Sequence, residues 1–163
     1  MQSIVWIKES AIGSITVLAE DKYPLETGGI LIGYSAGVSE LVVTNIVGPG
    51  PAAVHESSSF KPDYDFHAAE SARLFNASGG TAVYLGDWHT HPDSSLPIMS
   101  WKDRKTLTRI ARSADARIPR PIMLIAAGRA TVWRPRAWRG EQSAMWKLLG
   151  LVECVDCRLR TYT

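Results

Sequence analysis

The segment from Gly86 to Pro92, which reads Gly-Asp-Trp-His-Thr-His-Pro, constrains the fold of this chain more than any other. It follows the apolar run Ala82 to Leu85, which is typical of a β-strand. Strand side chains alternate between two faces, so His89 and His91 project from the same face. The sequence therefore predicts a strand that ends with two imidazoles side by side.

A third polar group follows in Ser100-Trp-Lys-Asp103, which opens an amphipathic run. Asp103 then lies in the first turn of a helix that can return beneath the histidines. Two imidazoles and one carboxylate are a ligand set for catalytic zinc, with the fourth position left for water. We therefore expect one zinc ion per chain, held by His89, His91 and Asp103.

A hydrolytic zinc site also needs a base that takes the proton from the attacking water. The best candidate is Glu26, in the segment Glu-Thr-Gly-Gly-Ile-Leu-Ile-Gly that ends at Gly33. This carboxylate precedes a glycine pair and an apolar strand, where the neighbouring backbone can approach closely. We expect Glu26 at the start of that strand.

These three motifs, in this order, resemble the JAMM (MPN-plus, JAB-domain) zinc metalloproteases. The resemblance covers most of the chain, from about Ile4 to Val132. It is strongest to the small bacterial JAB proteins of anti-phage and ubiquitin-like conjugation operons, through Tyr-Leu-Gly-Asp-Trp-His-Thr-His-Pro. Such enzymes cleave isopeptide or peptide bonds after the C-terminus of ubiquitin or a ubiquitin-like protein.

The resemblance implies roles for individual residues. Glu26 would accept the proton and pass it to the leaving amine. Ser100, which also suits a helix N-cap, would help to stabilise the oxyanion of the tetrahedral intermediate. Eleven residues separate His91 from Asp103, one more than is usual in the family. We expect the loop from Asp93 to Met99 to absorb the extra residue at small entropic cost.

The resemblance also implies partners. The first is a ubiquitin-like protein or its conjugate, whose tail would add as a strand beside the sheet. Operon-encoded conjugation enzymes are a further possibility. The alternative is a non-catalytic MPN scaffold, but such scaffolds have lost metal ligands that this chain retains. A zinc deaminase is disfavoured, because His67 and Glu70 have the wrong spacing and no proline precedes Cys154.

The order of elements predicts an α/β (α+β) chain with a central mixed β-sheet flanked by helices, the MPN/JAB-domain fold. We expect a single domain over residues 1–163. Predicted strands are Ile4–Ile7, Thr27–Tyr34, Glu40–Val47, the histidine strand, a hairpin of Pro121–Ala127 and Ala130–Arg134, and Leu151–Leu159. The resemblance implies a further short strand at Phe60–Asp63. Predicted helices are Glu9–Glu20, Tyr64–Ala77, Ser100–Ser113 and Glu141–Leu149. Residues 52–59 are expected to form a loop.

Composition excludes several classes of function. No apolar run approaches the roughly 20 residues that span a bilayer, and the net charge is only +2, so neither a membrane span nor a nucleic-acid-binding surface is indicated. The N-terminus lacks the apolar core of a signal peptide, which predicts a cytoplasmic protein.

Cys154 and Cys157 have no second pair and are expected to be reduced cysteines rather than zinc ligands. His55 is expected in a loop and His67 on an exposed helix face.

Overall fold

The computed structural model describes residues 2–163, and its centre is a seven-stranded sheet. The strands of this sheet are β1 (Ile4–Lys8), β2 (Gly28–Ser35), β3 (Glu40–Val47), β6 (Val83–Pro92), β7 (Ile122–Arg129), β8 (Val132–Glu141) and β9 (Glu153–Tyr162). Two short strands, β4 (Val54–His55) and β5 (Phe60–Lys61), form a separate hairpin. The helices are α1 (Glu9–Lys22), α2 (Tyr64–Ala77), α3 (Trp101–Arg112) and α4 (Ala144–Leu148).

The sheet closes on itself in the order β1-β3-β2-β6-β7-β8-β9, with β1 hydrogen-bonded to β9. Three neighbouring pairs run parallel, namely β1 with β3, β1 with β9, and β6 with β7. The remaining neighbours run antiparallel. The sheet is therefore mixed and flanked by helices, which confirms the predicted fold class.

The two faces of the sheet carry separate apolar clusters, as β7 illustrates. Leu124 packs in one cluster with Ala11 and Ile15 of α1. Its neighbours Met123 and Ile125 point the other way and pack with Leu107 of α3. This alternation buries β7 on both faces and places α1 and α3 on opposite sides of the sheet.

A bulge at Gly86 sets which residues of β6 face each side. The pairing of β2 with β6 shifts register between Leu31 and Ile32, where Gly86 has a φ of 148°. A Cβ at Gly86 would lie 1.8 Å from the carbonyl oxygen of Ile122, so only glycine fits. Because of this extra residue, Leu85 and Trp88 both reach the same core cluster although they are three apart.

In two segments the structure has a different type of element from the one predicted. The predicted loop 52–59 contains β4 and, with β5, forms a hairpin. The predicted helix Glu141–Leu149 is wrong at its start, because β8 continues to Glu141 and only Ala144–Leu148 is helical. Glu141 pairs in register with Glu153 of β9 and binds Arg120 through both carboxylate oxygens, which favours the extended backbone. Among residues 2–163, no helix has the length and apolar character that a bilayer crossing requires.

Candidate active site

The last residues of β6 carry the two histidines. His89 and His91 share a face and remain partly accessible, whereas Trp88 and Thr90 on the other face are 1% and 0% exposed. The indole of Trp88 donates to the carbonyl of Val47 at 3.0 Å. This buried anchor makes Trp88 part of the core, and strand alternation then turns both imidazoles to the opposite face.

Asp103, in the first turn of α3, meets both histidines. Its carboxylate oxygens lie 3.1 Å from Nε2 of His89 and 3.4 Å from Nε2 of His91. The two Nε2 atoms are 3.0 Å apart. All three ligand atoms lie within 4.8 Å of one another, a spacing that could hold a metal ion. The extra residue between His91 and Asp103 therefore does not move the carboxylate away from the imidazoles.

The carboxylate of Asp103 is 7% exposed as a residue and strongly constrained. Burial alone would raise its pKa, but hydrogen bonds from His89 and His91 hold the pKa well below its usual range. The main-chain N–H of Ser100 also donates to Oδ2 of Asp103 at 2.7 Å. The group is therefore an ionised, oriented oxygen donor, which is the state that a metal ligand requires.

Glu26 lies two residues before β2, beside the same cluster. Its backbone is continued into the sheet by Thr27, whose N–H donates to the hydroxyl of Thr90 at 3.0 Å and whose carbonyl accepts from the N–H of Thr90 at 2.8 Å. Burial raises the pKa of Glu26, while the nearby His89 and His91 act in the opposite direction. The carboxyl group is half-buried, and its pKa responds to the charges of His89, His91 and Asp103.

The loop that absorbs the extra residue is tied down where it begins. Asp93 has a φ of 61° and its N–H donates to the carbonyl of Gly128 at 2.6 Å. Its carboxylate accepts from the hydroxyl of Tyr23 at 2.8 Å. Farther along, Arg134 donates to the carbonyl of Ser95 at 3.2 Å. These contacts join the loop to the end of α1 and to the β7–β8 hairpin.

Sequence reasoning missed the environments of two histidines. His67 was expected to be exposed, but it is 7% exposed and its Nε2 lies 2.8 Å from the carbonyl oxygen of Gly48. His55 was expected in a loop, but it belongs to β4 and its Nδ1 lies 2.9 Å from the carbonyl oxygen of Glu26. Both contacts depend on long-range packing that no local pattern signals.

Asp87, on the histidine face, accepts from the hydroxyl of Tyr84 at 2.7 Å.

The cysteine pair lies outside the triad. Cys154 and Cys157 carry free thiols on β9, and Cys157 is 4% exposed. Burial raises the pKa of Cys154 and raises that of Cys157 to about 12. Neither thiol joins a group of three metal-ligating side chains within the described part of the chain. This agrees with the interpretation of two reduced cysteines.

Comparison with known families decides the assignment. Residues 8–141 match the family described as prokaryotic homologs of the JAB domain. The chain belongs to this family. A probable metalloprotease of Sinorhizobium fredii, y4qB, is 36% identical to it over 162 residues, which cover 99% of both chains. As a member of the JAB family, the protein is a JAMM-type hydrolase.

More distant relatives support this assignment. Proteins named CD-NTase/cGAS isopeptidase from Escherichia coli and Vibrio cholerae are 33% and 32% identical over 108 residues, about two thirds of each chain. Among solved structures, protein DSY2949 from Desulfitobacterium hafniense superposes with a TM-score of 0.67 at 15% identity. That superposition covers 98% of this chain and 94% of the other, and it shows that the fold is shared.

Proposed function

We propose that this JAB-family protein is a zinc-dependent peptidase or isopeptidase that cleaves after the C-terminus of a ubiquitin-like protein. The observation that carries the proposal is the meeting of His89, His91 and Asp103 within hydrogen-bond distance of one another, beside the half-buried Glu26. The names of the relatives add that proteases and isopeptidases occur among similar chains.

The donor set fits zinc. Two imidazole nitrogens and one carboxylate oxygen leave one position of a tetrahedral site open, which is the arrangement of catalytic rather than structural zinc. One ion per chain would be held by the three side chains. When bound, zinc supplies Lewis acidity and lowers the pKa of a coordinated water toward neutrality.

Glu26 is the proposed general base. Its carboxylate would accept the proton of the attacking water and then protonate the amine that leaves. Burial raises the pKa of Glu26, which brings the protonated and ionised forms closer in free energy than they are for an exposed glutamate. A group that must first gain and then lose a proton benefits from that balance.

Ser100 is the proposed donor to the oxyanion. Its Oγ accepts from the N–H of Asp103 at 3.1 Å, and its hydroxyl also helps to lower the pKa of the Asp103 carboxylate. In the proposed reaction the hydroxyl would turn to donate to the charge that develops on the scissile carbonyl. The side chain is exposed at the start of α3, where a substrate can reach it.

The proposed substrate is a protein conjugate or precursor. The CD-NTase/cGAS isopeptidases indicate by their name that similar chains act on isopeptide-linked proteins. By the family resemblance, the final glycines of a ubiquitin-like tail would enter a narrow channel that leads to the metal. Operon-encoded conjugation enzymes would be its functional partners, and a role in anti-phage defence would follow from such an operon.

Free thiols at both cysteines favour a reducing compartment such as the cytoplasm.

The direct test uses a ubiquitin-like protein ending in Gly-Gly, joined by a peptide bond to a reporter domain or by an isopeptide bond to a lysine. We expect metal-loaded protein to cut after the last glycine, with the product masses read by mass spectrometry. The Asp103→Ala variant, purified and loaded in parallel, should leave both substrates intact. Equal cleavage by Asp103→Ala, or intact substrates with the metal-loaded wild-type protein, would contradict the proposal.

A further inference from the structure

The main-chain N–H and carbonyl of Glu26 lie just beyond the end of the main sheet. The pairing of β2 with β6 ends at Gly28 opposite His89, and Thr27 makes the last contacts with Thr90. The N–H and carbonyl of Glu26 therefore have no partner in the main sheet. Glu26 is half-buried, and a buried main-chain group needs a partner, because leaving it unpaired costs free energy comparable to a lost hydrogen bond.

The β4–β5 hairpin supplies both partners. The N–H of Glu26 donates to the carbonyl of Glu56 at 2.8 Å. The carbonyl of Glu26 lies 2.9 Å from Nδ1 of His55. Since a carbonyl oxygen only accepts, this contact is a hydrogen bond when Nδ1 carries the proton. The side chain of His55 thus provides the carbonyl of Glu26 with a hydrogen-bond donor that the main sheet does not provide.

The imidazole of His55 is itself held in place. Its ring packs against Phe60 with centroids 5.4 Å apart and an interplanar angle of 34°. The edge of Phe60 covers Gly28, since a Cβ there would come within 3.0 Å of Cε1 of that ring. On the other side of the hairpin, Nζ of Lys102 on α3 lies 3.4 Å from the carbonyl of Ser58. The hairpin therefore spans the two segments that carry Glu26 and Asp103.

We propose that His55 is a positioning residue, which fixes the proposed base Glu26 by holding its main-chain carbonyl from the β4–β5 hairpin. This inference rests on the proposed function of Glu26. Catalytic groups must be held close to their productive geometry, and a displacement of about 1 Å can lower turnover by roughly 10²-fold. His55 acts through the backbone of Glu26 and touches no reacting atom.

The test compares two nearly isosteric substitutions, His55→Asn and His55→Leu. Asparagine offers an amide N–H near the position of Nδ1, and leucine offers none. The N–H of Glu26, bonded to Glu56, exchanges only when its segment opens away from the hairpin. In metal-loaded protein we expect His55→Leu, which removes the bond to the carbonyl of Glu26, to make that opening and the exchange of this amide roughly 5- to 10-fold faster. Its kcat on the Gly-Gly fusion should fall by roughly 10- to 100-fold, with KM and metal content unchanged. His55→Asn should restore most of both quantities.

His67 provides a matched control, because its Nε2 bonds a different backbone carbonyl, that of Gly48, at 2.8 Å. His67→Gln and His67→Met should change the melting temperature and leave kcat and the exchange of the Glu26 amide as in the wild type. A His67→Met variant that lost kcat as His55→Leu does would overturn the proposal, because any lost histidine–carbonyl bond would then have the same effect.

The remaining outcomes decide the proposal as well. Unchanged exchange at Glu26 in His55→Leu, or a loss that His55→Asn does not restore, would overturn it. If the wild-type protein cleaves no Gly-Gly fusion, the proposed function fails. The exchange measurement still decides whether His55 holds Glu26, so the two failures are distinguishable.

Discussion

Ser100 and Asp103 exchange two hydrogen bonds across the first turn of α3. The N–H of Asp103 donates to Oγ of Ser100 at 3.1 Å, and the N–H of Ser100 donates to Oδ2 of Asp103 at 2.7 Å. This capping box makes the carboxylate of a proposed metal ligand part of a helix start. The position of the ligand is therefore set by the same turn that begins the helix.

The box predicts separate consequences for Ser100→Ala. Alanine keeps the main-chain N–H that orients Asp103, so metal content should be unchanged. The lost cap should lower the free energy of unfolding by about 1 kcal/mol. Loss of the oxyanion donor should slow turnover by up to roughly 10²- to 10³-fold. Cleavage assays and thermal melts on the same preparations measure the two effects.

Two controls separate capping from catalysis. Ser100→Thr keeps both the cap acceptor and the hydroxyl, so it should stay near the wild type in both assays. Asp63 caps α2 by accepting from the N–H of Phe66 at 3.1 Å, away from the triad. Asp63→Ala should lower the melting temperature alone. Wild-type turnover in Ser100→Ala together with a lowered melting temperature would leave Ser100 as a cap only.

Metal binding should stabilise the fold through the three proposed ligands. An ion that binds only the folded state adds about 2.7 kcal/mol to the free energy of unfolding at 100 times its Kd. Adding zinc to chelator-treated protein should therefore raise the melting temperature, and His91→Ala should abolish that increase. His67→Ala, which removes a buried histidine outside the triad, should melt earlier but keep the zinc response. A zinc response that survives in His91→Ala would place the ion elsewhere.

The glycine after Gly28 is needed for packing. A Cβ at Gly29 would lie 1.9 Å from the carbonyl oxygen of Val47 and 2.8 Å from Nε1 of Trp88, which are hydrogen-bonded to each other. Gly29→Ala should destabilise the protein by about 1–3 kcal/mol or more, as overpacked cores do. Gly13 in α1 meets nothing within 4 Å, so Gly13→Ala should instead stabilise by about 0.5–1 kcal/mol. Denaturant titrations of both variants test this contrast, and equal effects would refute it.

The cysteines should be unreactive in the folded protein. Burial raises the pKa of both thiols, to about 12 for Cys157, so little thiolate exists near neutral pH. Alkylation by iodoacetamide at pH 7.5 should label neither residue quickly, and it should quicken as pH rises toward those pKa values. Denatured protein should label at both positions. Rapid labelling of Cys157 at neutral pH in folded protein would contradict the burial found here.

Much of the site follows from short-range patterns. Strand alternation places His89 and His91 on one face, and the Ser100-to-Asp103 spacing predicts the cap that the structure contains. The loop from Asp93 to Met99 absorbs its extra residue without moving Asp103 out of reach of the imidazoles. These predictions succeeded because each depends on residues close together in the chain or on a highly specific resemblance.

The rest depends on contacts between distant segments. No local signal tells that β1 closes the sheet against β9, or that Gly86 shifts the register of β6. Nothing in the local sequence marks His55 as a neighbour of Glu26, which lies 29 residues away in the chain. The start of the last helix was missed because Glu141 is held in β8 by Arg120, 21 residues earlier.

We propose that Glu26 transfers protons beside a metal held by His89, His91 and Asp103. The turnover of metal-loaded Glu26→Gln on the Gly-Gly fusion, with metal content determined on the same sample, tests this directly. We expect wild-type metal content and melting behaviour, with turnover lowered by at least roughly 10²- to 10⁴-fold, because the amide cannot accept the proton. Near-wild-type turnover, or loss of the metal together with activity, would contradict it.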